Sequence, residues 1–524
     1  MDTENQLTPL ASAVVGVFEN EEAANNEPKV SVNRFLSEIA SWYEKLRNSM
    51  DIRDDEVILR SAIERILKRR VILGGKGETI AEPLLRELVW ARYFPSNTIP
   101  ESMIGKIGKI IDLYSALRSN VISRKALKEK IMTEWTFQLM SCHIARLLAP
   151  NNEKNAISNF MYHVLKDSLH ILDDSEETKN VQVYLAVRRA FAKDDIAFLR
   201  YYLFEQIFGT LDSENLENTQ RNFAKGYGEI EKQLGYKLKE KIYMFVNKQT
   251  PVFFILEDVL QNQKKNVRSL LSEKEAFAQT VFDACNSRYK NIAKKVRTAI
   301  IRSVVFLIIT KAIIAFGVEG TYDKWRYGHI VWSSIAINTG IPPLLMIIVS
   351  LFIKTPGQDN SERILKKINM ILFETHPQIT ATAKFMVNPV KKRNVLGYIF
   401  AFLGLVAFVI SFGFIIWVLT KLQFNIVSQF IFIFFLTIVS FLSYRINTTA
   451  HMYSIDAKQG LLTPLVDFLV IPIVRVGMYL TEGISQINVI IFVFDFLIEA
   501  PFKGIFGFFE QWFSYLHAKR EDLG

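Results

Sequence analysis

Five charged residues fall inside apolar stretches of the C-terminal half: Lys311, Asp467, Arg475, Asp495 and Glu499. Charge at hydrocarbon depth is costly and marks a functional site by default. Lys311 or Arg475 paired with Asp467 or Asp495 would make a polar path or a proton relay. The structural alternative is plainer. A lysine reaches the interface by snorkelling, and Glu499 and Lys503 are one turn apart, an ordinary helix pair. Pro342 and Pro343 are adjacent, follow Asn338 and Gly340, and break an apolar segment. That frees carbonyls near mid-membrane, as at transporter sites, though plain kinks look the same.

Elsewhere reactive residue types occur at the wrong spacing. The two cysteines, Cys142 and Cys285, have no CxxC partner, which argues against zinc, thioredoxin-like and disulfide frameworks. Neighbours on a helix diverge by about 100°, so Cys142 and His143 would not share a metal. His163 and His170, seven residues apart, are too few ligands to read as a metal site. Gly74-Gly75-Lys76-Gly77-Glu78-Thr79 departs from the phosphate-loop spacing and follows no strand. His329 and His451 fall near opposite membrane faces, so a hydrolase buried in the membrane would lack a shared site. The reading is of a non-enzyme, with no catalytic, metal or cofactor residues and no cofactor.

The elements that carry these residues divide into two contrasting halves. Residues 301–524 hold 19 of the 63 Lys and Arg and 13 of the 53 Asp and Glu, yet 25 of the 40 Phe. The net charge of +10 follows from basic flanks of membrane helices. No basic run is interleaved with aromatics, so no nucleic-acid partner is expected. Residues 1–30 read as a disordered lead-in without a signal peptide. Residues 31–298 read as a cytoplasmic α-helical domain. In 52–70, Val57, Ile58, Ala62, Ile63, Ile66 and Leu67 share one face. Acids precede bases there, as the helix dipole prefers. No alternating strand is evident.

Beyond residue 298 the apolar runs approach the ~20 residues needed to cross a bilayer. Segments 299–353 and 396–444 read as two transmembrane hairpins. The loop 354–395 carries eight bases against three acids and contains a short helix pattern. The positive-inside rule places this loop and the N-terminal domain on the cytoplasmic side. Lys294, Lys295, Arg297, Lys391, Lys392, Arg393 and Trp512 are the expected contacts to anionic lipid head groups. Residues 461–520 read as amphipathic helices, in-plane or re-entrant, with Phe502, Phe506, Phe509, Trp512 and Phe513 on one face of the last.

The resulting expectation is an all-α, polytopic helical membrane protein with a large soluble N-terminal helical domain. It would be multi-pass, with its N-terminus cytoplasmic, in a plasma or inner membrane. Its expected role is a membrane-anchored scaffold or assembly protein. The lipid bilayer and a protein held by the N-terminal domain are its partners, with self-association left open. The alternative is a transporter or channel that uses the intramembrane charges and the broken second span.

Overall fold

A computed structural model describes residues 6–19, 27–30, 54–72, 77–264, 266–314, 317–318, 320–329, 332–387, 395–422, 424–455 and 463–485. The chain forms two compact units, Met1–Val281 with Ile364–Pro389, and Phe282–Arg363 with Val390–Gly524. The first unit opens with α1 (Pro9–Glu19), α2 (Asp55–Ile72), α3 (Gly77–Trp90), α4 (Ser102–Ser123), α5 (Glu129–Leu148) and α6 (Asn152–Leu165). A three-residue strand, β1 (Leu169–Ile171), follows. Next come α7 (Glu176–Val187), α8 (Ile196–Phe208), α9 (Leu216–Leu234), α10 (Lys239–Asn247), α11 (Thr250–Asn262) and α12 (Val267–Ser272). The 41-residue α13 (Lys274–Ile314) starts in the first unit and ends in the second. It is followed by α14 (Gly320–Tyr327), α15 (Trp332–Phe352) and α16 (Gln358–Phe373). Then come β2 (Ala383–Phe385), α17 (Val395–Lys421), α18 (Ile426–Ala450) and α19 (Thr463–Ser485).

The described chain is mainly helical, an all-α fold. Several features differ from expectation. Within residues 1–30, read as a disordered lead-in, Pro9–Glu19 forms α1, because Ala11, Val14, Val15 and Phe18 recur at helical spacing and are buried. β1 and β2 form a parallel pair, with Leu169 opposite Ala383 and Ile171 opposite Phe385. Strands this short show no alternation to read, and parallel pairing requires a distant partner.

Periodicity explains the core of the first unit. Val57, Ala62, Ile63, Ile66 and Leu67 of α2 are buried, while Ile58 is half-buried. Arg60 lies on the same inward side and is 4% exposed. Its guanidinium donates to Asp195 Oδ2 at 2.8 Å and pairs with Glu64. Asp195 Oδ1 accepts from Phe198 N at 3.1 Å, so one carboxylate caps α8 and fastens it to α2.

In the second unit a buried polar node joins α13, α16 and the segment after α18. Asn360 Nδ2 donates to the Tyr289 hydroxyl at 2.7 Å and to the Tyr453 carbonyl at 2.8 Å. Asn360 Oδ1 accepts from Ile455 N at 2.9 Å. Arg288 Nη1 donates to the Tyr453 hydroxyl at 2.6 Å. A fully satisfied buried amide fixes geometry, whereas a half-satisfied one destabilises.

Two described helical segments, Tyr398–Lys421 and Ile426–Ala450, are long and apolar enough to cross a membrane. Only 11% of the most apolar window of the first is buried. α15 stays helical through Pro342 and Pro343, and both rings are buried. Prolines donate no N–H, so the carbonyls of Asn338 and Thr339, four residues back, lose their usual donors. α18 and α19 approach closely at Gly477, where a Cβ would sit 2.0 Å from the Thr437 carbonyl oxygen. Ser411 Oγ of α17 donates to the Leu469 carbonyl of α19 at 2.8 Å.

Gly477→Val is therefore expected to force α18 and α19 apart and cost about 1–3 kcal/mol. Thermal unfolding of the full chain in detergent reads this, with Gly404→Val as the control because nothing lies within 4 Å of a Cβ there. Equal melting temperatures for the two variants would show that the contact at Gly477 does not matter.

Candidate functional site

Of the five charged residues named from the sequence, the two with described side chains, Lys311 and Arg475, lie in different surroundings. Lys311 of α13 is fully buried, and its Nζ lies 4.7 Å from the centre of the Phe435 ring of α18. Arg475 is exposed on α19. Lys311 is enclosed and Arg475 is open, so they share no interior. The Asp467 side chain lies outside the described residues, as do Asp495, Glu499, Lys391, Lys392, Arg393 and Trp512. Lys294, Lys295 and Arg297 are all exposed on α13, while Ile292 before them and Val296 among them are buried.

A site that the sequence reading did not single out lies in the first unit. After α7 the backbone widens into a π-helical turn over Arg188–Ala192. It closes at Lys193, whose φ is +60°. A left-handed non-glycine residue costs about 1–3 kcal/mol and persists only where its surroundings hold it. Inserted π turns also gather at functional sites. Here the turn keeps Arg188 inward and brings Asp194 back beneath it.

Arg188 is 2% exposed and spends each guanidinium nitrogen. Nε donates to Asp194 Oδ2 at 2.6 Å, Nη1 to Asn155 Oδ1 at 2.8 Å, and Nη2 to the Tyr202 hydroxyl. The guanidinium carbon also lies 4.3 Å from the centre of the Tyr202 ring. Burial pushes the Asp194 carboxyl up to about 6, against the pull of Arg188.

Arg188 and Tyr202 help line a cleft of about 850 Å³, within the usual range for ligand pockets. Its walls come from α5, α6, α7 and α8. The rings of Tyr162 and Tyr184 meet edge to face at 5.9 Å, and those of Tyr184 and Tyr202 at 6.2 Å. Arg146 pairs with Glu205 and lies over the rings of Tyr201 and Tyr202. Behind Tyr201, the ring of His143 is shielded, and burial lowers its pKa to about 4, so it stays neutral near pH 7.

The lining balances two arginines, Arg146 and Arg188, against two glutamates, Glu177 and Glu205. No group of three His, Cys, Asp or Glu suited to a metal occurs among the described residues. The arrangement is suited to holding a polar, uncharged partner. One signal was present in the sequence: Glu177, Asn180, Tyr184 and Arg188 recur at three- and four-residue spacing along α7 and into the turn that follows it. It is hidden because mixed-sign polar helices normally face water. The π turn has no sequence signature.

Compared with known protein families, curated proteins and solved structures, the chain matches none.

Removing one member of a buried ion pair leaves a bare charge and costs about 3–5 kcal/mol. Arg188→Ala is expected to lose that much, and the double variant Arg188→Met, Asp194→Leu to regain most of it. Calorimetry of the full chain checks both. A loss below about 1 kcal/mol in the single variant would show that the pair does not hold the cleft.

Proposed function

We propose that this chain is a membrane-anchored, non-enzymatic scaffold, with the second unit seated in a lipid bilayer and the first holding a protein partner at the cleft. One observation carries the membrane half of this reading. On the last turns of α13, the one cation, Lys311, points inward with Leu307, while Phe306, Ile309 and Ile313 face outward. A helix in water shows the reverse order. Apolar residues outside and charge inside suit hydrocarbon surroundings.

Other features support a multi-pass arrangement. α15 and α17 also present apolar faces outward, among them Leu351, Phe352, Phe402 and Phe414. Trp325 and Trp332, on either side of the turn between α14 and α15, are exposed, as aromatic anchors at a membrane surface are. In this reading the exposed Lys294, Lys295 and Arg297 would lie at the cytoplasmic surface and meet anionic head groups there. That surface is also the side assigned to the N-terminus.

Transport is the competing reading, and it would route ions past Lys311. The Phe435 ring over Lys311 supports a packing role for that residue instead. The chain reconstituted in liposomes is expected to give no proton, Na⁺ or K⁺ flux above empty liposomes, and Lys311→Met to behave the same. Flux in the wild type that disappears in Lys311→Met, with reconstitution unchanged, would overturn the scaffold in favour of a transporter.

A further inference from the structure

We infer that the cleft on α6, α7 and α8 takes an extended, uncharged peptide segment of a partner protein and grips it by its backbone. This inference rests on the scaffold reading and names the chemistry of its partner.

The first support is what the cleft has left unspent. The side chains of Asn159, Asn180 and Gln206 line it and make no hydrogen bond among the described residues. The same holds for the hydroxyls of Tyr162 and Tyr184. Asn155 has given its oxygen to Arg188 and keeps its Nδ2. A carboxamide donates and accepts side by side. That pattern matches one peptide unit, which presents one C=O and one N–H.

The second support is spacing. Asn155 and Asn159 are four residues apart on α6, a rise of about 6 Å. An extended peptide repeats every second residue at about 6.6 Å. Two carboxamides one helical turn apart therefore fall in step with alternate peptide units. The lining runs from Glu177 on α7 to Arg188 at the start of the π turn, eleven steps or about 16 Å, room for about five extended residues.

The third support concerns selectivity. Two arginines and two glutamates cancel across the lining, and the arginines are engaged by Asp194 and Glu205. A strongly charged segment gains nothing from such a lining. The edge-to-face rings of Tyr162, Tyr184 and Tyr202 instead offer apolar sockets, which suits alternate apolar side chains on the peptide. The held geometry of the π turn means that the site exists before the peptide arrives, which lowers the ordering cost of binding.

The test uses the full chain in lipid nanodiscs, panned against a phage-displayed library of random linear peptides. Enriched sequences are synthesised and titrated by fluorescence anisotropy. Asn159→Ala and Asn180→Ala are each expected to weaken binding about tenfold, the loss of about 1.4 kcal/mol of hydrogen bonding. N-methylation of alternate amides in the peptide should weaken it as much. Lys241→Ala, on an exposed part of α10 outside the cleft, should change nothing. Unchanged melting of both asparagine variants shows that folding is intact. Failure to enrich any peptide, or peptides that bind the asparagine variants as tightly as wild type, would overturn the inference. Competition by a synthetic peptide of residues 31–53 at equal affinity would make the occupant a segment of this chain, which also overturns it. Stable residence in nanodiscs and absence of ion flux report the scaffold reading separately, so either idea fails without the other.

Discussion

Uncovered hydrocarbon is the constraint on which the second unit turns. On α17, Phe400, Phe402, Leu405, Val409, Phe414 and Trp417 are each about three-fifths exposed. Six large apolar side chains kept from burial forfeit on the order of 10 kcal/mol. That equals the whole net stability of an ordinary domain. In water these faces would be covered by another chain or by aggregation. In lipid they are at home, and the pressure moves to the backbone, which must satisfy its own hydrogen bonds. Unbroken helices of 27 and 25 residues, α17 and α18, meet that demand.

The same reasoning explains where polar groups sit in this unit. Lys311 is turned inward onto Phe435, and Ser443 Oγ finds Met346 Sδ at 3.3 Å. Gly477 lets the backbones of α18 and α19 approach closely at Thr437, as small residues do where lipid would give no hydrophobic push between helices. The Asn360 node then ties α13 and α16 to the segment after α18 through one amide that spends both donors and its acceptor. In the first unit, the buried Arg188–Asp194 pair plays the matching part: it holds a strained turn in place and leaves neighbouring amides and phenols unspent.

Long-period features were the legible ones. The apolar face of α2, its ordered charges and the long apolar runs within 396–444 all follow from residue spacing. Junctions were less legible. The division of α9 from α10 at Gly235 and the short α14 within the expected first hairpin interrupt otherwise helical or apolar stretches without a strong local signal. The β1–β2 pair depends on a partner far along the chain, which no local pattern reveals. The cleft escaped for a related reason. Its residues come from four helices, and their Arg, Asn, Tyr and Glu side chains look solvated until the helices meet. The five charges set in apolar stretches were conspicuous in the sequence, yet of the two with described side chains Lys311 is buried and Arg475 is exposed.

Extraction decides the central claim. Membranes carrying the full chain are washed at alkaline pH and floated through a density gradient. The chain is expected to rise with the lipid and to enter aqueous solution only with detergent. A compact, monodisperse monomer in buffer after the wash would contradict the account, because the outward faces of α13, α15 and α17 would then be stable against water.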